Sequence, residues 1–172
     1  MANCCFVTFV IDFGSKEDAA QCHKWLEAKQ EADASKNHCF ELGTDSKFYI
    51  LDDYVGELSE DSLEISGWVR WAIDGDAMIE AVTQLVHHYD IKHLSCHYNE
   101  CGCEIYGHWE YDQSDHLLID WAVQPDYIRK YYEDHKEDFE HDEDGSVSDA
   151  AIDHFCDAPE EAYAEDTVVE IS

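Results

Sequence analysis

Apolar and polar residues alternate from Cys4 to Phe13, with Cys5, Val7, Phe9 and Ile11 on one side. A two-residue period marks a strand with one buried face. Ser15 then opens a helix predicted over 15–33. Asp18, three positions on, makes a capping-box variant, and Ala19, Cys22 and Leu26 follow at helical spacing. Lys47–Leu51 (KFYIL) predicts a short strand, and Leu63–Ile73 a longer one after an acidic loop. On the longer strand Leu63, Ile65, Val69 and Trp71 share a face that Trp68 does not. Asp74, Gly75 and Asp76 end it and start a second helix that runs to about His88, with Met78, Val82, Leu85 and Tyr89 as its stripe. Ile91–Tyr98, Cys103–Asp112 and His116–Val123 predict three further strands, joined by turns. Pro125 suits the first position of a helix predicted over 125–139, with Ile128, Tyr131, Tyr132, His135 and Phe139 facing a core. Ser146 or Ser148 caps a short fourth helix that turns Ala151, Ile152 and Phe155 inward. From Pro159 onward the chain reads as an acidic, frayed tail in which TVVEI is a candidate edge strand.

The order β-α-β-β-α-β, then a hairpin, then two helices, predicts an α+β fold. The first six elements follow the ferredoxin-like βαββαβ pattern. The expectation is one antiparallel sheet with its helices on one face, an added β-hairpin and acidic C-terminal helices. Residues 1–124 form the sheet-and-helix core, 125–158 a helical extension of the same domain, and 159–172 the tail. At 172 residues the chain can bury one substantial core.

Charge changes the picture more than length does. Lys and Arg number 10 against 41 Asp and Glu, a formal net charge of −31. Such a surface repels nucleic acid and anionic membranes and steers basic proteins toward itself. Adaptation to high salt also produces acidic, Lys-poor chains, but it does not call for 8 Cys, 11 His, 5 Trp and 10 Tyr. The opening MANCCFVTFVIDF lacks a basic n-region and reads as a strand, not a signal peptide. No segment approaches the roughly 20 apolar residues of a membrane span. The chain is therefore expected in a cytoplasm, with its Cys reduced and mostly packed as small core residues. Trp25, Trp68, Trp71, Trp109 and Trp121 are expected to build the core, with one or two exposed as interface anchors.

Metal and nucleophile chemistry concentrates in one place. The run from Cys96 to Asp112, CHYNECGCEIYGHWEYD, holds Cys96, His97, Cys101, Cys103 and His108. These are zinc-ligand types, yet the only close pair is CxC, with no second CxxC. Strand alternation also puts Cys96 opposite His97 and Cys103 opposite His108, so at most part of the set converges. A thiol nucleophile needs a thiolate beside a base, and the negative field opposes thiolate formation. His87 and His88 suit the end of a helix, where cations are favoured. The register of HDEDGSVSDAAIDH fails for a calcium loop. No phosphate loop, GxSxG or HExxH occurs. No cofactor and no catalytic residue is expected.

The acids themselves form the strongest candidate. In YYEDHKEDFEHDEDG, Glu133, Glu137 and Glu140 stand at i, i+4 and i+7, with Asp134 and Asp138 one step around. Like charges at i, i+4 cost a helix roughly 0.2–0.5 kcal/mol per pair. Acids at a helix C-terminus also oppose its dipole. Asp142, Glu143 and Asp144 continue the run. Local rules broken repeatedly in one direction point to residues set by function. Carboxylates one helical turn apart, about 5–6 Å at Cβ, or two strand positions apart, roughly 6.5–7 Å, have spacings comparable with adjacent backbone phosphates. An ordered array of this kind can occupy the Lys/Arg groove that a nucleic-acid-binding protein uses for phosphates. Asp52, Asp53, Glu57, Glu60 and Asp61 are a candidate second patch, and Tyr127 a candidate apolar anchor.

The segment SLEISGWVRWAIDGDAMIEAVTQLVHHYDIKHLSCHYNECGCEIYGHWEYDQSDH resembles the ferredoxin-like domain of Api92-like proteins of phages and mobile elements. The resemblance rests on a Trp-containing strand, a helix, a strand with aromatic and acidic residues, and the Gly-aromatic strand YGHWEY. It implies the fold and a mobile-element setting, and no catalytic residues. In composition the chain is also similar to acidic DNA-mimic inhibitors of restriction and CRISPR systems. The expected function is to bind a basic nucleic-acid-binding host defence protein, a CRISPR effector or restriction nuclease, in the cytoplasm of an infected cell. An immunity protein for a basic toxin nuclease, and a zinc- or thiol-dependent enzyme built on Cys96–His108, are the alternatives.

Overall fold

In the computed structural model, which describes residues 4–33, 40–41, 49–50, 58–70, 75–100, 104–135 and 149–172, the alternating first segment is strand β1 (Cys4–Phe13). The chain continues through α1 (Lys16–Asp33), β2 (Phe40–Glu41), β3 (Tyr49–Ile50), β4 (Leu58–Ser59), β5 (Ser62–Arg70) and α2 (Gly75–His88). Then follow β6 (Ile91–Glu100), β7 (Ile105–Asp112), β8 (Leu117–Val123), α3 (Pro125–Asp134), α4 (Asp149–Cys156), a 3-10 turn (Glu160–Ala162) and β9 (Tyr163–Glu170). Seven strands form one sheet in the order β4-β5-β1-β6-β7-β8-β9, and β2 and β3 pair separately. Every pairing is antiparallel. The molecule is therefore α+β, with a seven-stranded antiparallel sheet and four helices among the described residues.

The period-2 pattern of β1 fixes its faces. Cys5, Val7, Phe9 and Ile11 are buried. Phe9 lies between Ile65 of β5 and Cys96 of β6 in the register, and Ile11 between Leu63 and Leu94. Onto this side pack Ala19, Cys22 and Leu26 of α1, and Met78, Ala81, Val82 and Leu85 of α2. Fully burying one such aliphatic side chain is worth about 1.5–3 kcal/mol, so these stripes hold both helices to the sheet. Helix α1 starts where the capping box predicts: the Asp18 N–H donates to Ser15 Oγ at 3.1 Å, and the Ser15 hydroxyl donates back to Asp18 Oδ2 at 2.9 Å.

Two expectations change at the C-terminal end. The helices do not share one face. In β7, Trp109 and Tyr111 enter the first core, while Tyr106 has the opposite parity and joins Val123, Ile128, Ala151, Phe155 and Ala162 in a second core. Side chains alternate across a strand, so α3 and α4 lie on the other side of the sheet from α1 and α2. Helix α3 is also shorter than the predicted 125–139. It ends at Asp134, and His135 leaves the helical region at φ −119°, ψ 24°. Its last turn carries acids and no base, which the helix dipole disfavours. The His135 imidazole instead comes within 2.9 Å of the Tyr131 carbonyl oxygen through Nδ1. Only Glu133 and Asp134 of the predicted row therefore stand on α3, and Glu137, Asp138, Glu140, Asp142, Glu143 and Asp144 lie outside the described residues.

The candidate edge strand TVVEI falls in β9, which reaches further back into the expected frayed tail and pairs with β8 from Leu117↔Glu170 to Val123↔Tyr163. Ile171 is buried in the first core, and its N–H donates to the His116 carbonyl at 2.8 Å. The hairpin between β7 and β8 is closed by Asp112, which accepts from the Ser114 N–H at 2.7 Å, and by Asp115, which accepts from the Leu117 N–H at 2.9 Å. Among the described residues no helix is long and apolar enough to cross a membrane.

Candidate functional site

The acids of the C-terminal edge are held in ordered structure. Glu160, Glu161, Glu165, Asp166 and Glu170 are all exposed along the 3-10 turn and β9, and Asp157 is exposed just after α4. No Lys, Arg or His occurs between Phe155 and Ser172. Cross-strand partners project to the same side of a sheet, so Glu165 lies beside Trp121 and Glu170 beside Leu117. This row was hidden in the sequence because its acidity reads as a solvated tail. The signal that finds it is the alternation in TVVEI together with the strand partner in β8. Elsewhere, exposed ion pairs of Lys and Arg reach Glu60 (2.8 Å), Asp90 (3.0 Å) and Asp126 (3.1 Å). Pairs of this kind hold little energy.

Of the two acidic patches read from the sequence, the described residues lie on separate elements. Glu133 and Asp134 are exposed at the end of α3. Glu60 and Asp61 are exposed at the β4–β5 turn, the opposite edge of the sheet from β9. Six inter-strand steps separate those edges, roughly 29 Å at about 4.8 Å per step. Asp52, Asp53 and Glu57 lie outside the described residues. Tyr127 is half-buried against the second core, with its hydroxyl 3.1 Å from His154 Nε2. It is engaged within the fold and does not stand free as an anchor.

Exposed aromatic surface lies instead on the part of the sheet that α3 and α4 leave uncovered. Trp68 is 40% exposed and meets Phe6 edge-on, with ring centroids 5.1 Å apart. Trp109 is buried in the first core, Trp25 packs against that core, and Trp71 lies outside the described residues. In the middle of the open face His97 and His108 oppose each other across β6 and β7 and stack at 5.1 Å. Beside them His93 sits between Glu110 (3.2 Å) and Asp12 (3.7 Å).

A pocket of about 420 Å³ opens next to this His pair, lined by His108, Glu110, Trp121, Glu160 and Tyr163. Three strands and the 3-10 turn contribute to it. His108 and Trp121 are direct cross-strand neighbours, and Tyr163 meets His108 edge-on at 5.1 Å. Burial and the neighbouring His97 hold the His108 imidazole below its usual value, against the pull of Glu110. Burial therefore favours its neutral form over the cation. Its Nδ1 is buried, with no hydrogen-bond partner among the described residues.

Metal and thiol chemistry gains no support from the geometry. Cys96 is fully buried in the first core, on the face opposite His97 and His108. Burial, with Cys5 and Asp120 nearby, pushes its thiol well above the ordinary value. Burial alone pushes Cys22 up to about 12. Both stay as thiols, which are poor nucleophiles. Cys101 and Cys103 lie outside the described residues. Among the described residues, no group of three or more His, Cys, Asp or Glu is arranged to hold a metal ion. No protein-family model, curated protein or solved structure matches the chain.

Proposed function

We propose that this chain is a binding protein, and not an enzyme, whose acidic surface occupies the nucleic-acid groove of a basic protein. The partner is a host defence protein, a CRISPR effector or restriction nuclease, and the setting is the cytoplasm of an infected cell. The observation that carries this reading is the ordered carboxylate row on the 3-10 turn and β9, where Glu160, Glu161, Glu165, Asp166 and Glu170 are exposed in a segment with no cation, with Asp157 exposed ahead of it. Among the described residues none of the six forms an ion pair within the chain. On β9 Glu165 and Glu170 stand five positions apart, roughly 16 Å at about 3.3 Å per residue, and pairing with β8 from Leu117↔Glu170 to Trp121↔Glu165 fixes that separation. Order matters because a fixed array meets its partner without losing chain entropy. Glu133 and Asp134 add two exposed carboxylates at the end of α3.

We also read part of the sheet as ferredoxin-like. The order β4-β5-β1-β6, with α1 and α2 as crossovers on one face, supports that reading. The β2–β3 pair is then an insertion, and β7, β8 and β9 extend the sheet past β6. The likeness of Ser62–His116 to Api92-like domains agrees with it and adds a phage or mobile-element origin.

The test uses purified CRISPR effectors and restriction nucleases against the immobilised full chain. A target should bind, be displaced by its own nucleic acid, and weaken steeply with salt. Triple reversal at Glu165→Lys, Asp166→Lys and Glu170→Lys should lower affinity by about 100-fold, since several close charge pairs are inverted. Binding that survives these reversals and high salt unchanged, or a panel with no binder, would end the proposal. Binding confined to a toxin nuclease would identify an immunity protein with the same surface physics.

A further inference from the structure

We infer that the pocket between β7, β8 and the 3-10 turn is a subsite for an arginine side chain, supplied by the basic partner on which the proposed function rests. A guanidinium stacks flat on aromatic faces and pairs with carboxylates through a planar fork of donors. Trp121 and Tyr163 supply the rings, and Glu110 and Glu160 supply the charge. Neither half suffices. Carboxylates alone attract any counterion, and rings alone accept any apolar group. Here both line one pocket of about 420 Å³, within the roughly 300–1,000 Å³ of typical ligand sites. An uncharged apolar side chain fits poorly, because it would strip water from two carboxylates without replacing those contacts. An ammonium group is more strongly hydrated than a guanidinium and lacks its planar fork.

The surroundings favour the same occupant. Glu165 is the cross-strand neighbour of Trp121 and is exposed beside the pocket. Glu161 on the 3-10 turn and Glu170 on β9 are exposed on the same stretch of chain. A basic chain drawn to this stretch meets the pocket as it docks. Glu110 also contacts His93, but His93 is shared with Asp12, so that carboxylate is not committed to it. The pocket thus gives a diffuse acidic surface one position where side-chain shape is read.

The experiment is a two-dimensional ¹H–¹⁵N titration of the full chain, reading tryptophan indole N–H signals. The probes are N-acetyl-arginine methylamide and its neutral isostere, N-acetyl-citrulline methylamide. The arginine probe should move the Trp121 signal saturably, in the millimolar range. Trp68, exposed on the same open face but outside the pocket lining, is the control for loose counterion binding. The citrulline probe should leave Trp121 unmoved. Glu110→Gln with Glu160→Gln should weaken the arginine effect by about tenfold, as two charge-assisted contacts become neutral. The buried Trp109 indole reports whether that variant keeps its fold. If it does not, Glu160→Gln alone, on the exposed turn, carries the comparison. Equal shifts from citrulline, parallel shifts at Trp68 and Trp121, or no shift at Trp121 would each overturn the assignment. Failure here, with charge reversal on β9 still abolishing partner binding, removes the pocket and leaves the wider reading standing. Saturable arginine binding beside a partner indifferent to charge reversal does the opposite.

Discussion

Asp120 shows how a carboxylate behaves when it is not part of the solvated surface. It is 9% exposed and accepts a hydrogen bond from the Tyr98 hydroxyl at 2.9 Å. Burial pushes its pKa up to about 6, helped by nearby Asp166 and opposed by the Tyr98 bond. The unfolded chain titrates such a group near 3.9, so between about pH 4 and 6 the folded state binds more protons. Stability from this site is full below pH 4 and is lost as pH rises through 6. Asp120→Asn keeps an acceptor for Tyr98 and removes the charge. It should raise stability by on the order of 1–3 kcal/mol at pH 7.5 and leave it unchanged at pH 3.5, read by denaturant unfolding at both pH values. A neighbouring constraint is steric. A Cβ at Gly107 would collide with the Tyr98 hydroxyl and the Trp121 carbonyl. Gly107→Ala should therefore cost about 1–3 kcal/mol and disturb the pocket with it, seen as a lower melting temperature and a shifted Trp121 indole signal.

Among the elements, the α3–α4 pair packs around a titrating ring. His154 stacks on Tyr131 at 3.7 Å and lies 3.1 Å from the Tyr127 hydroxyl. Burial and His135 hold it below the usual imidazole value. Its folded pKa is thus depressed, and the stability it contributes is present above about pH 6.5 and lost as pH falls through the folded value. Amide hydrogen exchange in α4 should accelerate relative to β1 below that pH, and His154→Phe, which keeps the stack, should remove most of the difference. Elements differ in how far the chain alone discloses them. β1 and α2 were legible because one periodicity runs their whole length and one face is buried. The end of α3 was not, because side-chain pattern continued where dipole and charge opposed another turn. The second half of β9 was legible in TVVEI, but its first half, residues 163–166, was not, because acids on a strand look like acids on a tail until a partner strand supplies the register. The pocket was invisible, since His108, Trp121 and Tyr163 come from three strands and no short motif links them.

For the whole molecule the governing quantity is the imbalance of 41 acids against 10 Lys and Arg. Self-repulsion at this charge destabilises the compact state. Raising ionic strength from about 0.01 M to 1 M shortens the Debye length from about 30 Å to 3 Å, which removes most of that repulsion. Sodium chloride should therefore raise the melting temperature while it weakens partner binding, and calorimetry beside a binding isotherm would show the opposite signs. A protein held by surface ion pairs would instead lose stability with salt.

One edge of the sheet carries a second meaning. Among the described residues β9 is the outer strand of the sheet, and an edge strand is a template for adding further copies. Six exposed carboxylates on and beside it make a second copy repel the first. The same row that would draw a basic partner would thus also keep copies of the chain from adding to this edge. As net charge falls toward the isoelectric point of about 4.3, edge-to-edge growth should set in, read as thioflavin-positive aggregate, and Glu165→Lys with Glu170→Lys should change the pH at which it appears.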